Sequence, residues 1–151
     1  MKVARILLPT DFSPTAASAF EPAASLADRW GATIDLLHVL EDFPVLPAIS
    51  FEHLPTLPSE AVHEQAEAQA QMQLANLLTS QLPVAVRGQA RVERGSPAAE
   101  IIRCATQHGY DLIVMSTHGH TGLKHVVLGS VTQKVVQQAP CPVLSVRAPA
   151  D

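Results

Sequence analysis

Val3-Ala4-Arg5-Ile6-Leu7-Leu8-Pro9-Thr10-Asp11-Phe12-Ser13-Pro14 opens with an aliphatic run that stops at one proline and resumes as a helix start at the next. Residues 3–8 are β-branched or aliphatic apart from Arg5, which predicts a short strand buried on both faces. The Ser13 oxygen suits an orphan helix amide and Pro14 has no amide to leave unpaired, so the pair predicts an N-cap and a first helical residue. Ala16, Phe20, Ala23, Ala27 and Trp30 then recur at spacings of three and four, one apolar stripe, with Gly31 fitted to the left-handed position that ends a helix. Pro22 interrupts this helix. It deletes a hydrogen bond to Ser18, so either the axis bends there or the segment is two pieces.

The same strand, turn and helix grammar repeats along the chain. Residues 33–40 predict a second strand. The stretch 41–58 holds Pro44, Pro47, Pro55 and Pro58 beside Phe43 and Phe51, too broken for a long helix or a central strand, and predicts a long loop suited to a lid. Residues 59–81 predict a helix with Val62, Ala66, Ala70, Leu74, Leu77 and Leu78 on one face. A strand is expected over 84–93, where Gly88 marks a bulge or a close backbone approach. Ser96-Pro97 repeats the capping pattern, and that helix ends at Gly109. A fourth strand over 111–115, a short helix over 130–138 and a fifth strand over 142–146 complete the chain. Such alternation implies right-handed crossovers and a doubly wound α/β domain, a parallel sheet with helices on both faces. Ligands of such sheets bind beyond the carboxyl ends of strands where the strand order reverses, which directs attention to residues 9–13 and to the segment from Met115 onward.

Composition narrows the function classes. With 151 residues, 47% hydrophobic and only 4% aromatic, the chain is expected to form one domain, 1–151, around an aliphatic core. Ten basic against 14 acidic residues give a net charge of −4, which argues against broad adhesion to nucleic acid or to anionic membrane. No stretch approaches the roughly 20 apolar residues of a membrane span, and the N-terminal run ends too soon for a signal peptide. Cys104 and Cys141 have no CxxC or Cys/His ligand spacing, so two buried free thiols and a cytoplasmic location are expected.

After the fourth strand come Ser116-Thr117-His118-Gly119-His120-Thr121-Gly122, then Gly129-Ser130-Val131-Thr132. Gly119 lets backbone approach a ligand, and Gly129-Ser130 places amides and a hydroxyl at the positive end of the last helix, a combination that suits phosphate. The spacing is neither a Walker A motif nor GxGxxG after strand one. On these residues alone two readings stay open, a phosphate cradle or two tight turns and a helix cap. His118, His120 and His125 lack a carboxylate or cysteine partner at ligand spacing, and His63 with Glu67 sits on a solvated face, so no metal site is assigned. No Ser/His/Asp or Cys/His constellation places a nucleophile, and no catalytic residue is assigned.

The chain resembles the universal stress protein family, small α/β domains whose ATP-binding members carry G-x2-G-x9-G-[ST] after strand four. The resemblance rests on Ser116-x2-Gly119-x9-Gly129-Ser130 and, in order, on Leu7-Leu8-Pro9-Thr10-Asp11-Phe12-Ser13, Leu36-Leu37-His38-Val39, Asp111-Leu112-Ile113-Val114-Met115 and Cys141-Pro142-Val143-Leu144. It implies a five-stranded parallel sheet of order 3-2-1-4-5. It also implies a cytoplasmic, ATP-binding, dimeric stress-response module with at most slow hydrolysis, the ATP carrying Mg2+. Pro9, Thr10 and Asp11 would border the nucleoside and Val39 the adenine edge, with Met115 and Ser116 flanking ribose. Gly119, His120, Gly129, Ser130, Val131 and Thr132 would hold phosphates. Ser116 stands where the motif has its first glycine, and His120 where lysine or arginine is common, which lowers the positive charge facing phosphate near neutral pH. The family's homodimer pairs the last strands, and Val143-Leu144-Ser145-Val146 by itself reads as an uncharged apolar edge of the kind that is paired or covered. The competing reading is a dimeric interaction scaffold that binds no nucleotide. A phosphoacceptor receiver needs an acidic pair after strand one, where this chain has Asp11 alone.

Overall fold

A computed structural model describes residues 2–41, 59–117 and 128–148. The predicted lid loop and the glycine turn at 119 lie outside these. In chain order the elements are β1 (Arg5–Pro9), α1 (Pro14–Ala17), α2 (Phe20–Trp30), β2 (Thr33–Leu40), α3 (Ser59–Gln81), a 3-10 turn (Val84–Val86), β3 (Arg87–Arg94), α4 (Pro97–His108), β4 (Leu112–Ser116), α5 (Ser130–Gln138) and β5 (Val143–Val146). The five strands form one parallel sheet in the order β3-β2-β1-β4-β5, the predicted topology, with the reversal between β1 and β4.

Strand alternation sorts the aliphatic residues into two layers. Ile6, Leu8, Ile34, Leu36 and Val114 pack with Phe20, Ala23 and Ala27 of α2 and Leu74 of α3 on one face. Leu7, Leu37, Ile113 and Met115 pack with Ile101 and Cys104 of α4 and Val135 of α5 on the other. Each fully buried Leu or Ile contributes about 1.5–3 kcal/mol, so the middle strands anchor everything that their C-terminal ends present. Cys104 is buried and Cys141 partly so, both as free thiols, and burial pushes both above the usual thiol pKa.

Several local expectations are corrected. The first helix is two pieces, but the break falls at residues 18–19, before Pro22. Pro22 therefore sits in the first turn of α2, where amides have no intrahelical acceptor and a proline removes nothing. Ser13 caps as predicted, its Oγ accepting from the Ala16 amide at 3.1 Å. Ser96 occupies the matching position before α4, yet its hydroxyl makes no capping bond. Trp30, counted in the apolar stripe, is 47% exposed at the end of α2, and Val62 is 43% exposed because the early turns of α3 bury little. The third strand starts at Arg87 rather than at residue 84, after the 3-10 turn.

Gly88 is both of the things expected of it. The β2–β3 register shifts between Ile34 and Leu36, and a Cβ on Gly88 would overlap Asp35 Oδ1 and lie 2.8 Å from the Ile34 carbonyl. The room goes to a buried carboxylate that the sequence reading missed. Asp35 accepts from the Gln89 amide at 2.7 Å, the Tyr110 hydroxyl at 2.5 Å and the Arg5 guanidinium at 3.0 Å. Burial first, then the bond to Asp35, pushes the Tyr110 phenol well above its ordinary pKa, so it stays a donor.

Candidate functional site

The carboxyl ends of β1, β2 and β4 and the start of α5 enclose a cleft of about 280 Å³ on the α4/α5 side of the sheet. β1 contributes Pro9, then Thr10 and Asp11; β2 contributes Leu37, His38 and Val39, then Glu41; β4 contributes Met115 and Ser116; α5 contributes Ser130, Val131 and Thr132 behind Gly129. Of the twelve residues that the family resemblance implies for the nucleotide, ten line this cleft, and Gly119 and His120 lie outside the described residues. Ala16, Leu37, His38, Glu41, Pro97 and Ile101 also line the cleft and were missed. The signal for Pro97 and Ile101 was available: they are four apart, hence on one face of the first turns of a helix packed on this side.

The floor at β1 is a tightly tied turn. The Thr10 amide donates to the Leu37 carbonyl at 2.8 Å, and Thr10 Oγ1 accepts from the Phe12 amide at 3.1 Å. Asp11 Oδ1 accepts from the Ser13 amide at 3.0 Å and from the Ser13 hydroxyl at 2.6 Å, so a carboxylate at the cleft wall also braces the N-cap of α1. Phe12 has φ +64°, unique among non-glycine residues described, a conformation that costs about 1–3 kcal/mol and survives only where its surroundings impose it. His38, whose place inside strand two suggests a packed or hydrogen-bonded core residue, is hydrogen-bonded but only half-buried, and it lines the cleft; its Nδ1 lies 2.8 Å from the Thr10 carbonyl, and its ring lies 4.3 Å from that of Phe12.

At β2, backbone groups of successive residues point to alternate sides. The Leu37 carbonyl faces Thr10, so the amide and carbonyl of Val39 face the same side, beyond the point where β1 has ended. A planar ring with one donor and one acceptor on its edge can dock there as a further strand residue would.

At the opposite wall, Gly129 rather than Ser130 is the N-cap of α5, with no side-chain cap, and its amide donates to the Thr117 carbonyl at 2.7 Å. The next amides, at Ser130, Val131 and Thr132, are those a helix leaves without intrahelical acceptors, and the helix dipole makes this end attractive to anions. Thr132 is buried and its hydroxyl donates to the Ser116 carbonyl at 2.9 Å, which fixes α5 to the end of β4. Gly129 has φ −66°, open to any residue, so the backbone itself does not demand glycine; what its missing side chain leaves is space at the cleft wall. Ser116 likewise has no left-handed φ, so a side chain is accommodated at the end of β4 where the motif has its first glycine.

Residues 2–147 match the universal stress protein family. A universal stress protein of Methanocaldococcus jannaschii, MJ0531, is 33% identical over 146 residues, covering 96% of this chain and 82% of that protein. The solved structure of a second protein of that archaeon, MJ0577, is 28% identical with TM-score 0.84, covering 100% of each chain. An Arabidopsis thaliana member whose crystal structure holds AMP has TM-score 0.68 at 20% identity over 98% of this chain and 94% of its own, a likeness of fold. The length of the family match and the level of identity leave one assignment: this chain belongs to the universal stress protein family.

Proposed function

We propose that the cleft binds an adenine nucleotide, ATP with Mg2+ in the cell, and that the protein is a cytoplasmic, homodimeric regulatory module. The observation that carries this reading is the convergence of three different chemistries on one cleft: strand-edge backbone at Val39, a carboxylate-bearing turn at Asp11, and helix-end amides at 130–132. These are what a base, a sugar and a phosphate chain require, in that order across the sheet. The AMP in the Arabidopsis relative makes an adenine nucleotide the first ligand to test. Asp11 and Glu41 are the carboxylates of the described lining; they offer oxygen donors of the kind Mg2+ accepts, while the phosphates supply others. The sequence offers no Ser/His/Asp or Cys/His constellation, and slow ATP hydrolysis is the most enzyme-like activity in this reading, which is of a protein that binds and reports nucleotide rather than one that turns it over quickly.

Gly129→Val separates the phosphate part of this account from the rest. Its torsions accept valine, so the fold should persist, while the added methyl groups occupy the wall beside the α5 amides. ATP affinity measured by calorimetry should fall by about tenfold or more, and adenosine affinity should change little. Equal loss for both ligands, or loss for neither, contradicts a phosphate site at α5.

A further inference from the structure

We infer that His38 is a positioning residue: it locks the 10–13 turn, and with it Asp11, against the end of β2. The other polar groups of Thr10 are already committed, the amide to Leu37 and Oγ1 to the Phe12 amide, and the carbonyl is taken by His38 Nδ1 at 2.8 Å. A carbonyl only accepts, so Nδ1 carries the proton. The same imidazole lies 4.3 Å from the Phe12 ring at an interplanar angle of 33°, against the residue that holds the unfavourable φ of +64°. One side chain thus supplies both the hydrogen bond before Asp11 and the packing after it. His38 therefore couples the strand edge at Val39 to the Asp11 turn and presents the two at a fixed spacing.

The affinity consequence rests on the adenine-nucleotide reading, and the conformational one does not. Asparagine places an amide N–H on the same branch as Nδ1, whereas glutamine reaches toward Nε2. His38→Ala and His38→Gln should therefore weaken ATP by about tenfold, while His38→Asn, which keeps the N–H but not the ring against Phe12, should weaken it by only about threefold. In the ligand-free protein, long-range proton–nitrogen spectra should find His38 protonated at Nδ1, and the Phe12 and Ser13 amide signals should move in His38→Gln far more than in His38→Asn. An Nε2-protonated ring, or Asn and Gln variants alike in the 10–13 signals, overturns the assignment. If the natural protein fails to bind ATP, the nucleotide reading falls, while the tautomer and the turn signals still decide the role of His38.

Discussion

Asp35 shows how one side chain dictates others around it. Its buried carboxylate needs three donors, and the β3 backbone must come close to supply one of them, which leaves no space for a side chain at residue 88. Gly88→Ala should destabilise the protein by about 3 kcal/mol, the upper range for overpacking, in urea unfolding followed by circular dichroism; an unchanged midpoint would mean that the strands separate freely there. Asp111 supplies the pH dependence. Its carboxylate accepts from the Ala4 and Arg5 amides at 2.8 and 3.0 Å, and these two bonds hold its pKa below the ordinary aspartate value. A group depressed on folding contributes fully above its unfolded pKa, and that contribution drains as pH falls through the folded value. Stability should thus drop on acidification below the usual aspartate range, and Asp111→Asn should flatten that part of the curve, as thermal melts across pH would record. Asp111 opens one of the quoted signatures, but its two amide bonds to Ala4 and Arg5 were not legible there, and Asp35 was not singled out at all. Asp35 reads as one polar residue in an apolar strand, and its partners lie up to 75 positions away.

At the scale of elements the sequence was more legible, for reasons that separate cleanly. β1, β2 and β4 announce themselves because strands buried on both faces are predominantly aliphatic runs, even with Arg5, Asp35 and His38 among them. The start of α1 was readable because Ser13-Pro14 is a local chemical signal. The break between α1 and α2 was not, since Pro22 tolerates a first turn as readily as it disrupts an interior, and only packing decides between them. The site followed the same division. The strand ends and helix start singled out from the sequence line the cleft, whereas His38 and Glu41 depend on how far β2 outruns β1. β5 is the element with a prediction of its own. The Pro142 and Val146 carbonyls accept from Ile113 and Thr117, so the backbone groups of Ser145 face away from the sheet. Ser145→Pro removes an outward amide and no bond to β4. Under the proposed pairing of last strands it should yield a folded monomer in analytical ultracentrifugation, where Ser145→Ala remains a dimer; a dimer from both variants would place the contact elsewhere.

For the molecule as a whole, the reversal of strand order between β1 and β4 organises everything. It opens the sheet where chains leave in opposite directions, and it lets the end of β2 and the start of α5 face each other across β1 and β4. A net charge of −4 does not oppose this, because anion binding here draws on local backbone dipoles rather than on overall charge. No described helix is long and apolar enough to cross a membrane. The central claim is that both ends of the cleft serve one adenine nucleotide, and amide-resolved NMR titration with ATP and Mg2+ tests it most directly. Saturable shifts should appear together at Thr10, Asp11 and Val39 and at Ser130, Val131 and Thr132, with a single dissociation constant. Shifts confined to one end, or none at millimolar ATP, would contradict it.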